Sequence, residues 1–174
     1  ILARQVVIGT MLSFSLIALC GYLWPAIGYP PRKDNAPAIA RAGNVADILG
    51  VTVRETEVSA GEPLFVEVTW LPLQWTEEPL AVFVHLVDEA GVLVAQRDTW
   101  PGLGRAPTTS WRAGVPFSDI YRVDLPDTVY TPNELTVHVG LYGATVGRIP
   151  IACGDDFPVD SWGVGSVRVA ASEG

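Results

Sequence analysis

The chain begins with one long apolar stretch. Short runs in which apolar and polar residues alternate follow it. No charged residue occurs between Gln5 and Pro31, and Val6–Trp24 supplies about 19 mostly apolar residues, roughly 28 Å as a helix. That length matches the hydrocarbon core of a bilayer. Pro25 follows directly and disfavours continuation of the helix. The pattern therefore predicts one transmembrane anchor helix within residues 1–24.

Three other interpretations of this stretch compete with that prediction: a cleaved secretory signal, a lipoprotein signal and a buried core helix. A lipoprotein signal would place a small residue before Cys20, but Leu19 stands there. A core helix would need a large surrounding domain to bury it. A retained membrane anchor is the interpretation that we prefer.

Beyond the anchor, residues 25–44 are rich in Pro and Ala and are expected to form an extended linker. From residue 45 to 174 the chain shows short runs of β-branched and aromatic residues between turn residues. Candidate strands are 48–58, 63–70, 80–88, 91–97, 116–125, 134–142 and 164–170. Seven strands without a convincing amphipathic helix among them predict an all-β domain, an antiparallel immunoglobulin-like or jelly-roll β-sandwich.

Period-two alternation supports these strands. Leu64, Val66 and Val68 are expected on one face of a sheet, with Glu67 on the other. The segment 88–91 (DEAG) between two apolar runs predicts a tight hairpin. By contrast, the segment 98–119 is predicted to be a long loop, which in a compact domain is usually functional or packed on itself.

The charge and the cysteine content limit the classes of partner and cofactor that this chain is expected to bind. The formal net charge is −8, and Lys33 is the only lysine, so the domain is expected to avoid nucleic acid and anionic membrane surfaces. Cys20 and Cys153 form no CxxC motif and no cluster with histidine. We therefore expect no cofactor, no metal and no disulfide between these two cysteines.

Several residues are candidates for contacts rather than for catalysis. Trp100 and Trp111 are candidate sugar or partner contacts, with a packing role against the sandwich edge as the alternative. Asp98 and Asp119 flank the long loop and are expected to pin its ends through backbone N–H groups.

Two pairs of residues have packing roles in these predictions, one in the anchor helix and one in the strands. Gly9 and Ser13, four residues apart, are small residues that would let another membrane helix pack closely. His85 and His138 lie within predicted strands and are interpreted as structural histidines.

Three segments of the domain together resemble a known module. The first is a hairpin signature, matched by Phe83, His85, Leu86, Asp88, Gly91, Gln96 and Asp98. A loop signature follows, matched by Pro101, Gly104, Pro107, Thr108, Trp111 and Gly114, and then Asp119. The last signature is matched by Gly140, Leu141, Tyr142, Gly147, Arg148 and Pro150.

This pattern resembles a β-sandwich module at the C-terminal ends of bacterial multi-pass membrane proteins. These include polyprenyl-phosphate-sugar glycosyltransferases of the protein mannosyltransferase type. Val115 departs from the pattern, which commonly has glutamate there. The resemblance implies an extracytoplasmic domain after a membrane helix, although Arg32 and Lys33 beyond the helix do not support this sidedness. It implies no activity, because fold kinship does not transfer function.

Two function classes are expected from these features. The first is a non-catalytic, single-pass accessory subunit of a larger bacterial membrane complex, for example an electron-transfer or photosynthetic one. Its helix would dock in the bilayer beside other subunits, and its sandwich would pack on their extracytoplasmic parts. The second is a carbohydrate-binding or substrate-positioning module of a glycosyltransferase-like membrane protein.

Overall fold

Two β-sheets pack face to face around one apolar core. The computed structural model describes residues 38–154 and 158–170. The strands are β1 (Ala40–Ala42), β2 (Ala46–Val53), β3 (Glu57–Ser59), β4 (Pro63–Pro72), β5 (Ala81–Asp88), β6 (Leu93–Thr99), β7 (Phe117–Asp124), β8 (Asn133–Gly143), β9 (Gly147–Ile149), β10 (Ile151–Ala152) and β11 (Trp162–Ala170). Short 3₁₀ turns at Pro101–Gly104 and Thr108–Ser110 lie between β6 and β7.

The strands divide into two sheets with different strand orders. One sheet has the order β10-β1-β2-β4-β7, and the other has the order β3-β11-β8-β5-β6, with β9 added beside β8. Most neighbours are antiparallel, but β3 and β11 are parallel. The all-β, sandwich-like fold predicted from the alternation is confirmed.

The core forms where the inward faces of the two sheets meet. β4 shows strict alternation of buried and half-buried residues, with Leu64, Val66, Val68 and Trp70 fully buried. On the facing sheet, Val137 and Val139 of β8 are equally buried. Outward residues of the same strands are therefore free to form a surface.

The first predicted strand, 48–58, is in fact two strands in different sheets. β2 ends at Val53 and β3 begins at Glu57, so the chain crosses between the layers at residues 54–56. The Glu55 carboxylate accepts a hydrogen bond from Phe65 N–H at 2.9 Å, and the Thr56 carbonyl accepts one from Arg168 N–H at 3.0 Å. These contacts between residues distant in sequence hold the crossing in place. They cannot be predicted from the local pattern of apolar residues.

The hairpin predicted at 88–91 is present. An Asp88 carboxylate oxygen accepts hydrogen bonds from Ala90 N–H at 2.9 Å and Val92 N–H at 2.8 Å. Gly91 has a φ of +79°, which glycine adopts without steric cost.

The predicted anchor and most of the predicted linker lie outside the described residues. Within the described part of the chain, no helix is long and apolar enough to cross a bilayer. The sheet also begins ahead of the predicted domain boundary at Val45, because β1 lies within the segment predicted as linker.

Candidate ligand-binding site

Five side chains gather on the outer face of the β3-β11-β8-β5-β6 sheet, and we call them the outer-face cluster. They are Phe83, His85, Asp98, Tyr142 and Arg148, and with Gly147 they line an open cavity of about 270 Å³. They come from the four neighbouring strands β5, β6, β8 and β9. Because Val82 and Val84 of β5 belong to the buried core, the residues that alternate with them face outward.

Strand register brings these distant residues together. Phe83 lies opposite Asp98 on one side and opposite Gly140 on the other, and Tyr142 lies opposite Arg148. The Phe83 ring occupies the space above Gly140, where a Cβ added to the glycine would come within 2.2 Å of Cζ. Glycine at this position therefore leaves the space that the Phe83 ring occupies.

Asp98 connects the polar side chains of the cluster. One of its carboxylate oxygens lies 3.1 Å from His85 Nε2, and the other accepts a hydrogen bond from the Tyr142 hydroxyl at 3.4 Å. The Asp98 side chain remains 33% exposed, whereas that of His85 is 14% exposed. Burial, and then the neighbouring Asp98, raises the pKa of Tyr142, so its hydroxyl stays a hydrogen-bond donor at neutral pH.

Arg148 covers the aromatic floor of the cluster. Its guanidinium carbon lies 4.6 Å from the centroid of the Phe83 ring, a cation–π contact. The residue is exposed, and a guanidinium carries five N–H donors. The contact with Phe83 fixes the group in position while its edge can still donate hydrogen bonds to a ligand.

His138 lies beside the cluster, opposite His85 on the adjacent strand. Its Nδ1 is 3.2 Å from Ser161 Oγ. Burial, followed by the proximity of His85 and Arg148, lowers the pKa of His138, so this ring is neutral at pH 7. Within the outer-face cluster, the Asp98 carboxylate contacts His85 and not His138.

The cluster can recognise a ligand by hydrogen bonding. It offers one carboxylate acceptor, one guanidinium donor and one phenol around an open cavity, and the buried Phe83 ring supports the guanidinium from below. Within residues 38–154 and 158–170, no group of three His, Cys, Asp or Glu side chains is placed to hold a metal ion. A few convergent polar groups in a concave apolar setting are typical of a small-molecule site.

The two tryptophans predicted as contacts have different environments. Trp111 is 6% exposed and packs against Trp70 and Phe117, with ring centroids 6.1 and 5.1 Å away. Its indole N–H donates to the Ala106 carbonyl at 2.9 Å. Trp111 is therefore a core residue that holds the loop down, because so little of its ring is accessible. Trp100, by contrast, is 54% exposed.

The two aspartates predicted to pin the loop also differ. Asp119 accepts hydrogen bonds from Gly102 N–H at 2.6 Å and from Ile120 N–H at 3.0 Å, which joins the loop to β7. Asp98 contacts the side chains of His85 and Tyr142 and so belongs to the cluster. Gly9 and Ser13, the predicted helix-packing residues, lie outside the described residues.

Sequence reasoning missed the cluster although its residues had already been singled out. Phe83, His85 and Asp98 come from the hairpin signature, and Tyr142 and Arg148 come from the last signature. The signal available was that these residues occupy the outward positions of strands whose inward positions are apolar. The loop signature behaves differently, since Pro101, Thr108 and Trp111 are buried.

The comparisons with known proteins give information on the fold alone. No protein-family model and no curated protein matches this chain. Among solved structures, the crystal structure of the C-terminal domain of wzt is similar, with 11% identity and a TM-score of 0.50 over 84% of this chain and 82% of that one. Pseudomonas fluorescens alkylpurine DNA glycosylase AlkC, bound to DNA containing an abasic site analog, matches with 14% identity and a TM-score of 0.39 over 77% of this chain and 31% of that one, too low to support an argument. The first similarity supports an all-β, sandwich-like fold for this chain.

Proposed function

We propose that this domain is a non-catalytic binding module and that the outer-face cluster binds a neutral saccharide. One observation carries the proposal. Residues from two separate signatures, far apart along the chain, meet around a single open cavity. A purely structural role would not need a carboxylate, a phenol and a guanidinium around that cavity.

The charge of the site favours a neutral polyhydroxyl ligand. Asp98 can accept and Arg148 can donate, a combination that suits neighbouring sugar hydroxyl groups. One carboxylate balances one guanidinium, so the site has little net attraction for an ion. The chain as a whole carries a formal charge of −8, which repels anionic ligands.

The sequence also supports a proposal for the wider setting of the module. We propose an immunoglobulin-like or jelly-roll sandwich held outside the cytoplasm by the predicted membrane helix. The resemblance to C-terminal modules of glycosyltransferase-type membrane proteins supports a role in holding a glycan near the bilayer. The chemistry of transfer would belong to other polypeptide segments.

Truncating the carboxylate tests the binding site. Asp98→Ala in the full chain, purified in mild detergent, is expected to weaken saccharide binding about tenfold or more, because a charge-assisted hydrogen bond contributes about 1.5–3 kcal/mol. Calorimetric titration with mannose, glucose and galactose and their α-linked oligomers measures the affinity. Asp124→Ala, which removes an exposed carboxylate on the other sheet, is the matched control. Failure of every saccharide to bind, or equal loss in both variants, contradicts the proposal.

A second candidate function is the accessory subunit of a larger membrane complex. The observation that favours it is the loop tip, by which we mean Trp100 and Leu103. Leu103 is 69% exposed and has a φ of +54°, a left-handed conformation that is costly for leucine. A large apolar side chain presented at such a cost, close in sequence to an exposed tryptophan, suits contact with another subunit.

Relieving this strain gives a test of the loop tip. Leu103→Gly is expected to raise the free energy of unfolding by about 0.5–1 kcal/mol, because glycine adopts positive φ freely and little buried area is lost. It should also reduce the amount of any membrane subunit that co-purifies with the chain. Val115→Gly is the control, since Val115 is 43% exposed and is not among the residues with positive φ. Equal destabilisation by both changes, or unchanged co-purification, would count against a contact role.

A further inference from the structure

A second concave surface lies beside the turn that joins β8 to β9, and we call it the hairpin groove. It is open to solvent and has a volume of about 600 Å³, more than that of the cavity of the outer-face cluster. Its lining combines an indole, two amides and two carboxylates: Trp75, Asn44, Gln74, Glu77 and Glu78. The lining also includes Val45, Leu80, Val146 and Ile149, so the groove combines convergent polar groups with an apolar surface, as ligand sites do.

Trp75 gives the groove a flat aromatic surface. The residue is 61% exposed, although a tryptophan usually buries most of its large ring. Asn44 and Gln74 in the same lining are exposed as well. An accessible indole beside amide donors and acceptors can stack on the apolar face of a sugar ring and hydrogen-bond to its hydroxyl groups.

Glu78 gives the groove a fixed carboxylate. It accepts hydrogen bonds from Thr145 N–H at 3.3 Å and Val146 N–H at 3.2 Å. Hydrogen bonding from the Thr145 side chain and from Val146 N–H lowers the pKa of Glu78, so it is ionised at neutral pH. With Glu77 also in the lining, the groove disfavours an anionic ligand.

The groove wall is held by a small hydroxyl network. The Thr76 hydroxyl donates to the Glu78 carbonyl at 2.7 Å and lies 2.6 Å from the hydroxyl of buried Thr108. Leu80 N–H in turn donates to Thr108 Oγ1 at 2.9 Å. The segment that carries Trp75 is thereby fastened to the body of the domain, which reduces the entropy lost on binding.

The hairpin links the groove to the outer-face cluster. Thr145 and Val146 line the groove, while the next two residues, Gly147 and Arg148, line the cavity of the cluster. We propose that the groove is a second subsite for the same ligand, so that this ligand is a neutral oligosaccharide that crosses the β8–β9 hairpin. The inference rests on the proposed saccharide-binding function and extends it from one sugar ring to a chain.

The length of the added oligosaccharide is the variable that tests this inference. The full chain in mild detergent is titrated with mannose and with α-linked mannose oligomers of increasing length, and with the matching glucose and galactose series. Wild-type affinity is expected to rise about tenfold from the monosaccharide to the oligomers, because a second linked contact adds to the first. Trp75→Ala should remove that rise and leave monosaccharide affinity unchanged. Trp100→Ala, which truncates an exposed indole outside the groove lining, should keep the rise.

The outcomes separate the two proposals. Monosaccharide binding without any gain on lengthening, or an unchanged gain in Trp75→Ala, overturns the second subsite and leaves the first site standing. Absence of binding to every saccharide overturns the first site and the second with it.

Discussion

Gly140→Ala is expected to abolish saccharide binding and to lower the free energy of unfolding by about 1–3 kcal/mol, the usual cost of overpacking. The added methyl would lie 2.2 Å from Cζ and 2.4 Å from Cε1 of Phe83. Phe83 is only 1% exposed and is enclosed by His85, Tyr142 and Arg148, so its ring cannot simply rotate into solvent. Displacing the ring removes the floor on which the Arg148 guanidinium rests.

Denaturant unfolding and calorimetric titration of the same sample measure both effects. Gly50→Ala is the matched control, because no atom lies within 4 Å of its added Cβ and it is not among the glycines with positive φ. We expect that control to bind normally and to change stability little. Adding Phe83→Leu to Gly140→Ala should recover part of the stability, because the smaller side chain makes room. A Gly140→Ala protein with wild-type stability and binding would show that Phe83 is not the fixed floor described above.

Trp70→Ala is expected to lower the free energy of unfolding by about 3–5 kcal/mol, the largest loss we predict. Trp70 is fully buried between the sheets, and its indole N–H donates to the Tyr121 hydroxyl at 3.3 Å. Truncation leaves a cavity beside Trp111 and also leaves a buried hydroxyl without its donor.

Tyr121→Phe separates the packing of the ring from the polar contacts of its hydroxyl, which are those with the Trp70 indole N–H and with Asp119. It keeps the ring and removes the hydroxyl, so about 1–3 kcal/mol should be lost, less than for Trp70→Ala. Unfolding by urea, monitored by circular dichroism, compares the two variants. If Trp70→Ala cost no more than Tyr121→Phe, the indole would not be the central packing element of the core.

The strands with strong alternation were predicted closely from the sequence. The predicted strand 63–70 is observed as Pro63–Pro72, and 134–142 is observed as Asn133–Gly143. In both, one face is buried against the facing sheet, so the apolar period directly reports the structure. The strands β1, β9 and β10 were missed because each has only two or three residues, too few to show a period.

The outer-face cluster could not be predicted as a site because it depends on register. Asp98 and Arg148 come together through the pairing of β6 with β5, β5 with β8 and β8 with β9. A shift of one residue in any of these pairings would move its residues to the other face. The sequence likewise could not separate Trp100 from Trp111, because tertiary packing alone buries the second ring.

The most direct test of saccharide recognition at the outer-face cluster is a magnetic-resonance titration of the full chain in mild detergent. The ring signals of His85 and His138 are followed as mannose, glucose, galactose or their α-linked oligomers are added. We expect the His85 signals to shift saturably with at least one of these sugars, and to stay in place in Asp98→Ala. Signals that remain unchanged with every sugar, or a sugar that binds while both histidines are undisturbed, would contradict this assignment.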